Sequence, residues 1–268
     1  MTDSNPSEAP QWTEIEIRLQ TKVKSRNPYT DFEVWADFTG PDGTVLRRPA
    51  FWDGGQDWVV RFASPVAEGT WSWVASARSA QISDLDGCSG TLRAVPTTGH
   101  HAAARHGFLR MSPGGRNLVD ADGRPFLLDA DTPRALPYRA TPDQATTYAR
   151  DRRATGFNSA LLMTVQPDMK ISGPRNRTED GAFEVGFDDL PEGTLKLLQP
   201  DYFQKLDRLI SILVEHDIVP VVQPVFHGFG WKGGDAAGGA VSPQDYARYC
   251  RYPVSYTHLR AHETALRI

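Results

Sequence analysis

The sequence predicts a two-domain protein in which an N-terminal antiparallel β-sandwich precedes the first part of a (β/α)8 TIM barrel. Three observations predict this class. Residues 12–95 alternate apolar and polar side chains with period two and are interrupted by turn residues at short intervals. After residue 107, apolar runs of strand length alternate with helical patterns, as in parallel βα units. A chain of 268 residues is long enough for two ordinary domains.

The composition is that of an ordinary globular protein. Hydrophobic residues make up 40% of the chain, charged residues make up 23%, and the formal net charge is −4. The sequence has no basic stripe, so nucleic acid is not expected as a partner. The two cysteines, Cys88 and Cys250, are far apart and belong to no cluster with zinc-ligand spacing. This argues against a disulfide scaffold and against a structural metal.

The N-terminus gives no targeting signal. Residues 1–10 are polar and lack the apolar run of a signal peptide, and no later window approaches the length of a membrane span. We therefore expect a soluble, cytoplasmic chain with no membrane partner.

The first domain, residues 11–96, is predicted from alternating strands and short turns. Residues 14–20 and 32–38 both alternate apolar with polar side chains. Turn residues follow at 41–43 and 53–55, where Asp-Gly pairs favour tight reversals. Several short strands with regular turns predict an Ig-like β-sandwich.

The same domain is rich in tryptophan, which raises the possibility of a sugar-binding platform. A small sandwich needs large inward side chains, so alternating tryptophans favour a core role over an exposed platform. Carbohydrate binding by this domain is the competing hypothesis. The tryptophans concerned are Trp35, Trp52, Trp58, Trp71 and Trp73.

Residues 97–106 are predicted to connect the two domains, because they are small or polar and have no periodicity. This connection contains His100, His101 and His106. Two of these histidines are adjacent, and the local sequence supplies no carboxylate or cysteine to complete a site. We therefore expect no metal here.

The barrel, residues 107–252, is predicted to begin with a core strand. Phe126–Leu128 is an apolar run that leads into Asp129 and Asp131. The C-terminal ends of parallel strands are where ligands bind in α/β sheets, so Asp131 is a candidate binding residue. The alternative is that these residues only form a turn.

Two further βα units follow. Thr141 and Gln144 predict a helix start with a capping box, and Gly156 predicts its end. Strands are predicted over residues 157–166 and 218–226. A helix is predicted to begin at each of Asp201 and Ser242. The first of these helices carries an apolar stripe over residues 203–214 that is expected to face the core.

Two long loops follow these strands. Residues 167–199 have no durable period, and a loop of this length after a strand is typical of a site lid or wall. Residues 227–239 are rich in glycine but lack P-loop and dinucleotide-binding spacings, so a phosphate or dinucleotide cofactor is not expected.

Four short motifs follow one another in the first domain, and their order can be compared with that of known families. They are Asn27–Asp31, Ala50–Gly54, Arg61–Phe62 and Gly69–Trp71. In this order they resemble the N-terminal β-sandwich that precedes the barrel in many apiosidase-like glycoside hydrolases.

Four motifs in the second half resemble the catalytic domain of the same family. They are Phe126–Thr132, Gly156–Asn158, Asp201–Asp207 and Tyr246–Tyr252. The chain departs from the family at one point, because Pro133 and Arg134 follow Thr132 where the family usually has tryptophan. This departure concerns the shape of the sugar pocket near the first strand.

The resemblance implies a glycoside hydrolase that acts on polysaccharide side chains by a two-carboxylate, retaining mechanism without a cofactor. In the family these carboxylates come from later strands, so we expect no catalytic residue within 1–268 and an inactive fragment. The alternative is a non-catalytic carbohydrate-binding or adhesion protein. In either case the partner is an oligosaccharide or polysaccharide. The expected substrate-binding residues are Asp131, Asn158, Gln166, Gln223, His227 and Trp231.

Residues 253–268 are expected to be a non-native tail. Val254–Thr264 resembles a translated sequencing adapter. The alternative is a native terminal helix, on which His258 and His262 would share a face. Because the adapter interpretation is preferred, this histidine pair is not taken as a metal site.

Overall fold

The computed structural model describes residues 5–78, 82–165, 186–189, 194–224 and 242–257. The chain forms two compact units. The first comprises Met1–Arg110 with Val119–Arg124, and the second comprises Met111–Leu118 with Pro125–Ile268.

The first unit is built on one mainly antiparallel sheet of seven strands in the order β1-β7-β6-β3-β4-β5-β2. Only the β1–β7 pair is parallel among the described pairs. One short helix, α1 (Pro28–Asp31), precedes β3. The strands are β1 (Glu8–Pro10), β2 (Ile15–Gln20), β3 (Val34–Thr39), β4 (Val45–Trp52), β5 (Asp57–Phe62), β6 (Gly69–Ala77) and β7 (Ser89–Val95).

The sheet curls until it nearly closes into a barrel. The first part of β4 pairs with β3, whereas Ala50–Trp52 pairs with β5, so β4 joins what would otherwise be two sheets. Gln11 forms a bridge with Ser64, just after β5, and the Trp12 amide donates to the Ser64 carbonyl at 2.9 Å. The predicted β-rich domain is confirmed. The predicted two-sheet sandwich is not confirmed. Because β4 pairs with both β3 and β5, all seven strands belong to one continuous order.

An aromatic core fills this sheet. Phe38 and Phe62 stack with ring centroids 4.2 Å apart, and Trp71 meets Phe62 edge to face at 5.0 Å. Trp71 is 1% exposed, and its indole nitrogen donates to the Ser64 hydroxyl at 3.1 Å, so its polar atom is satisfied inside the core.

The core interpretation of the tryptophans is correct for Trp58, Trp71 and Trp73, which are buried. Trp35 and Trp52 are half-buried. The Arg47 guanidinium lies 5.0 Å from the Trp35 ring centroid, over the surface that a sugar would need. The described part of this unit therefore offers less aromatic surface than the sequence suggested.

The predicted connection over residues 97–106 contains a short helix, α2 (Ala102–His106). Three two-residue strands follow, and they form a separate sheet in the order β10-β9-β8. A turn at Asp122–Gly123 lies between β9 and β10, and Gly123 has a φ of +84° that favours glycine. The strands are β8 (Arg110–Met111), β9 (Leu118–Val119) and β10 (Pro125–Phe126).

The second unit contains a parallel sheet of three strands in the order β11-β12-β13. Its strands are β11 (Ala130–Asp131), β12 (Ser159–Met163) and β13 (Val219–Gln223). Its helices are α3 (Leu136–Arg139), α4 (Pro142–Ala154), α5 (Pro200–Glu215) and α6 (Pro243–Thr257). Helices lie between successive strands in the chain, so the α/β character of this half is confirmed. Closure into an eight-stranded barrel stays a prediction.

Local chemistry explains the helix boundaries. The Thr141 side chain accepts from the Gln144 amide, and the Gln144 side chain accepts from the Thr141 amide, which completes the predicted capping box at the start of α4. Gly156 has a φ of +98° just after that helix. Helix α5 begins at Pro200, one residue before the predicted start. Its apolar stripe is buried as expected, with Phe203, Leu206, Leu209, Ile210 and Leu213 all below 1% exposed.

No helix among the described residues is long and apolar enough to cross a membrane.

We expect Phe62→Ala to lower the free energy of unfolding of the first unit by about 3–5 kcal/mol, because it empties a fully buried ring site between Phe38 and Trp71. Urea denaturation followed by tryptophan fluorescence measures this. The control is Val74→Ala on the outer face of the sheet, where the side chain is 46% exposed and a change within about 0.5 kcal/mol is expected. Equal effects of the two changes would contradict this description of the core.

Candidate functional site

The C-terminal ends of the three parallel strands meet at one edge of the second unit. Met163 is paired with Gln223, and the Met163 amide donates to the Arg134 carbonyl at 3.3 Å. Met163 and Gln223 therefore lie at the same level on β12 and β13, and Arg134, in the turn between β11 and α3, lies beside Met163 at that level. In parallel α/β sheets this edge is the usual position of a ligand site.

A buried threonine anchors this edge to two helices. Thr164 is fully buried, and its amide donates to the Gln223 carbonyl at 3.1 Å. Its hydroxyl donates to the Pro224 carbonyl at 2.9 Å and also shares a hydrogen bond with the Tyr249 hydroxyl of α6. The Tyr202 hydroxyl of α5 donates to the Thr164 carbonyl at 2.7 Å. Because these groups satisfy one another, the ends of β12 and β13 are held at fixed positions.

Gln223 is the predicted site residue that the structure places at this edge. It is half-buried, and its side-chain amide has no hydrogen-bond partner within the described part of the chain. In a pleated sheet, residues paired at the same level point to the same face, so Gln223 faces the same side as Met163. Its amide can donate to one sugar hydroxyl and accept from another. Gln166, His227 and Trp231 lie outside the described residues.

Arg134 at the same edge was missed as a candidate in the sequence. It is exposed, and α3 follows it immediately. Burial raises the pKa of the Tyr138 hydroxyl in α3, and the positive charges of Arg139 and Arg134 oppose that rise. The sequence did carry a signal, because Arg134 follows Thr132 where the resembled family usually has tryptophan.

Asp131 ends β11, as predicted, but β11 is only two residues long. Asp131 is paired with Ala160, the second residue of β12, so it lies level with the N-terminal ends of β12 and β13 and three residues short of the Met163–Gln223 pair. The chain after β11 reaches the level of that pair at Arg134. The sequence also led us to expect the apolar run Phe126–Leu128 to form the body of this strand.

That apolar run is not a core strand. Phe126 belongs to β10, and residues 127–129 form no strand. Leu127 is 81% exposed and Leu128 is 39% exposed. Within the described sheet, β11 is an edge strand, so no neighbour covers its outer side.

Asp131 is engaged by helix α4. Arg152 Nε donates to its carboxylate at 2.6 Å and the Tyr148 hydroxyl donates at 3.2 Å, while the Thr132 amide donates to its other oxygen at 2.7 Å. Desolvation would raise the pKa of Asp131, but the hydrogen bonds from Thr132 and Arg152 outweigh it and hold that pKa below its usual value. Burial, and then the Asp131 charge, raise the pKa of Tyr148. The phenol therefore stays neutral and donates to the carboxylate.

Asn158 also lies at the N-terminal ends of the strands, which corrects its predicted position at the ligand edge. Its side-chain oxygen accepts from the Asp129 amide at 2.9 Å, and its side-chain nitrogen donates to the Leu127 carbonyl at 2.7 Å. The Asn158 carbonyl accepts from the Val219 amide at 2.8 Å. Asn158 thus links the start of β12 to the segment just before β11 and to the start of β13 through hydrogen bonds to the backbone.

The described residues at the level of the Met163–Gln223 pair carry no carboxylate. Residues 134, 163–164 and 223–224 are Arg, Met-Thr and Gln-Pro, and the carboxylate nearest to them in sequence, Asp131 at the end of β11, is engaged by Arg152 and Tyr148 of α4. This part of the site can bind hydroxyl or anionic groups, but it cannot supply a proton donor and nucleophile pair for glycoside hydrolysis.

Two family models match the chain. Residues 112–259 match the apiosidase-like catalytic domain, and residues 8–78 match DUF5060, a domain of unknown function. The comparison with curated proteins gave no match.

Among solved structures, the chain is similar to a crystal structure of a protein from Bacteroides vulgatus that is provisionally named a glycoside hydrolase. The TM-score is 0.72 at 20% identity, over 96% of this chain and 48% of the other. The chain thus spans about half the length of that protein, and the likeness shows a shared fold. A glycoside hydrolase family 5 protein from the same organism overlaps with a TM-score of 0.34 at 14% identity, over 59% of this chain and 39% of the other.

We expect Asp131→Asn to lower the free energy of unfolding of the second unit by about 1 kcal/mol at pH 7, because it removes a partly exposed, charge-assisted contact with Arg152. Since the folded-state pKa of Asp131 is depressed, this contribution is present above the unfolded pKa of about 4 and is lost as the pH falls through the folded pKa. Urea titrations at pH 7 and pH 3 measure the difference between wild type and variant.

The matched control is Asp151→Asn, because Asp151 pairs with the same Arg152 at 2.7 Å but is 60% exposed. It should change stability by less than about 0.5 kcal/mol. An Asp131→Asn penalty that is no larger than that of the control, or that is unchanged at pH 3, would contradict the assignment.

Proposed function

The chain belongs to the family of apiosidase-like catalytic domains, and on that premise we propose that it is the N-terminal part of a glycoside hydrolase. The reaction is hydrolysis of O-glycosidic bonds in polysaccharide side chains. The observation that carries this proposal is the common edge of the parallel sheet, where the backbones of Arg134, Met163 and Gln223 lie side by side and two of the three side chains are polar.

Sugar binding at this edge would use the hydrogen-bonding side chains that follow the strands. Gln223 donates to one hydroxyl and accepts from another, and Gln166 and His227 are proposed to take the same role. Trp231 stacks on a ring face. Asp131 and Asn158 were expected to share this role. Because α4 engages the Asp131 carboxylate and the Asn158 side chain bonds to the backbone before β11, we propose that they support the sheet instead.

The chemistry requires a proton donor and a nucleophile, because a retaining glycosidase uses one carboxylate for each task. We propose that both carboxylates come from later barrel strands outside residues 1–268. This is supported by the described residues level with Met163 and Gln223, which include no carboxylate, and by the coverage of 48% of the similar solved structure. The residues of this chain would bind and orient the substrate sugar against that pair.

The proposed layout is a β domain over residues 11–96, a connection over 97–106 and a partial barrel over 107–252. We also propose that residues 253–268 are a non-native tail. Two features that continue past Tyr252 count against this. Helix α6 continues to Thr257, and the family match continues to residue 259. Sequencing the gene downstream of Tyr252 tests it, since an uninterrupted reading frame with further barrel strands in place of residues 253–268 is the expected result.

We expect purified 1–268 to show no turnover of 4-nitrophenyl glycosides, because the two-carboxylate mechanism has no acid and nucleophile pair to act through. The same preparation should unfold cooperatively in urea, which shows that inactivity is not a consequence of misfolding. Turnover that co-elutes with the protein on gel filtration would contradict the proposed location of the carboxylates.

In the protein that carries the complete barrel, we expect Gln223→Ala to lower kcat/KM by roughly tenfold, which is the loss of one or two neutral hydrogen bonds to substrate. The control is Gln204→Ala, an exposed glutamine on α5, which should leave kcat/KM unchanged. Equal rates for wild type and Gln223→Ala would remove Gln223 from the binding site without testing the reaction type.

A further inference from the structure

Three potential metal ligands converge in the first unit. His106 ends α2, and Asp120 and Asp122 lie in the turn between β9 and β10. One ligand atom from each lies within 4.8 Å of the others. From the sequence, no metal was expected at His106, because no neighbouring residue supplies a carboxylate. The fold supplies two of them from a segment about fourteen residues further along the chain.

The two segments that carry these ligands are joined through their backbones. The Ala121 amide donates to the His106 carbonyl at 3.0 Å, which ties the turn to the end of α2. Within the turn, the Asp120 amide donates to the Arg124 carbonyl at 3.0 Å, and the Gly123 amide donates to the Asp120 carbonyl at 3.1 Å. The Asp120 side chain is 8% exposed and accepts from the Arg124 amide at 2.8 Å. Since the frame is held by its own hydrogen bonds, the ligand atoms are positioned before any ion arrives.

The donor set indicates the class of ion. One imidazole nitrogen and two carboxylate oxygens suit a borderline divalent cation, and Zn²⁺ is commonly held by three protein ligands with water in the fourth position. Ca²⁺ and Mg²⁺ prefer oxygen ligands alone. We propose that His106, Asp120 and Asp122 form a Zn²⁺-binding site that connects helix α2 to the β9–β10 turn.

The Arg124 guanidinium lies beside His106 and Asp122, where the cation would bind. It donates to His106 Nδ1 at 2.9 Å and lies 3.6 Å from the Asp122 carboxylate. A guanidinium can only donate, so Nδ1 is unprotonated in this contact, which is the form that binds a metal, and the same Nδ1 lies 3.4 Å from the Asp122 carboxylate. The Arg124 and Asp122 side chains are 63% and 51% exposed, and ion pairs this exposed contribute little to stability. A divalent cation can therefore displace the guanidinium at small cost, and Arg124 acts as a competitor for the site.

The test is Zn²⁺ titration of chain 1–268 by isothermal calorimetry, in a background in which His258→Ala and His262→Ala remove the paired histidines near the C-terminus. One Zn²⁺ should bind per chain. His106→Ala and Asp122→Asn should each weaken binding by about tenfold or more, since even outer partners of a metal ligand alter affinity by 10–100-fold. Arg124→Gln should tighten binding by roughly threefold or more, because a competing positive charge is removed.

The matched control is His100→Ala, a histidine close in sequence to His106 but not in the cluster, which should leave the affinity unchanged. Circular dichroism checks the fold of each variant. Because Asp122 is exposed, Asp122→Asn keeps the test valid if His106→Ala fails to fold. The proposal is overturned if no saturable binding occurs in this background, if both ligand variants match His100→Ala, or if Arg124→Gln does not bind more tightly.

Discussion

Parallel strands bring side chains from distant parts of a chain to one level only if their register is held at both ends. In the second unit, Asn158 holds the N-terminal ends through three hydrogen bonds to the backbone of the neighbouring strands. Thr164 holds the C-terminal ends through the Gln223 and Pro224 carbonyls and two buried tyrosines. Arg134, Met163 and Gln223 share one edge because both sets of bonds are present. The candidate site is therefore a product of buried polar groups as much as of apolar packing.

The sequence predicted those elements whose signals are local. The Thr141–Gln144 capping box and the apolar stripe of α5 each lie within one helix, and both were confirmed. The position of Asp131 depends instead on where β11 pairs with β12, and that pairing is a contact between distant segments. A run such as Phe126–Leu128 looks like a core strand in isolation, yet it ends up beside an uncovered sheet edge. Register was the missing information, and no single segment contains it.

The same limit applies to the first unit. Period-two alternation predicted its strands and the burial of Trp58, Trp71 and Trp73, because alternation is a property of each strand alone. Near-closure into a barrel depends on β4 pairing with β3 and then with β5, and on the bridge from Gln11 to Ser64. His106 and the two aspartates likewise come together only through the bond between residues 106 and 121. Their separate sequence positions gave no sign of a cluster.

Because β11 is short, its position along the sheet depends on the hydrogen bonds of Asn158. With two residues in the ladder, the strand has little pairing of its own to resist sliding, and the Asn158 side chain sets where it stops. A slide of two residues preserves the inward and outward faces but moves every side chain by roughly 6.6 Å along the sheet. Arg134 would then leave the row that it shares with Met163 and Gln223. An amide at the base of the sheet thus determines which residue of the first segment stands beside Met163 and Gln223 at the opposite edge.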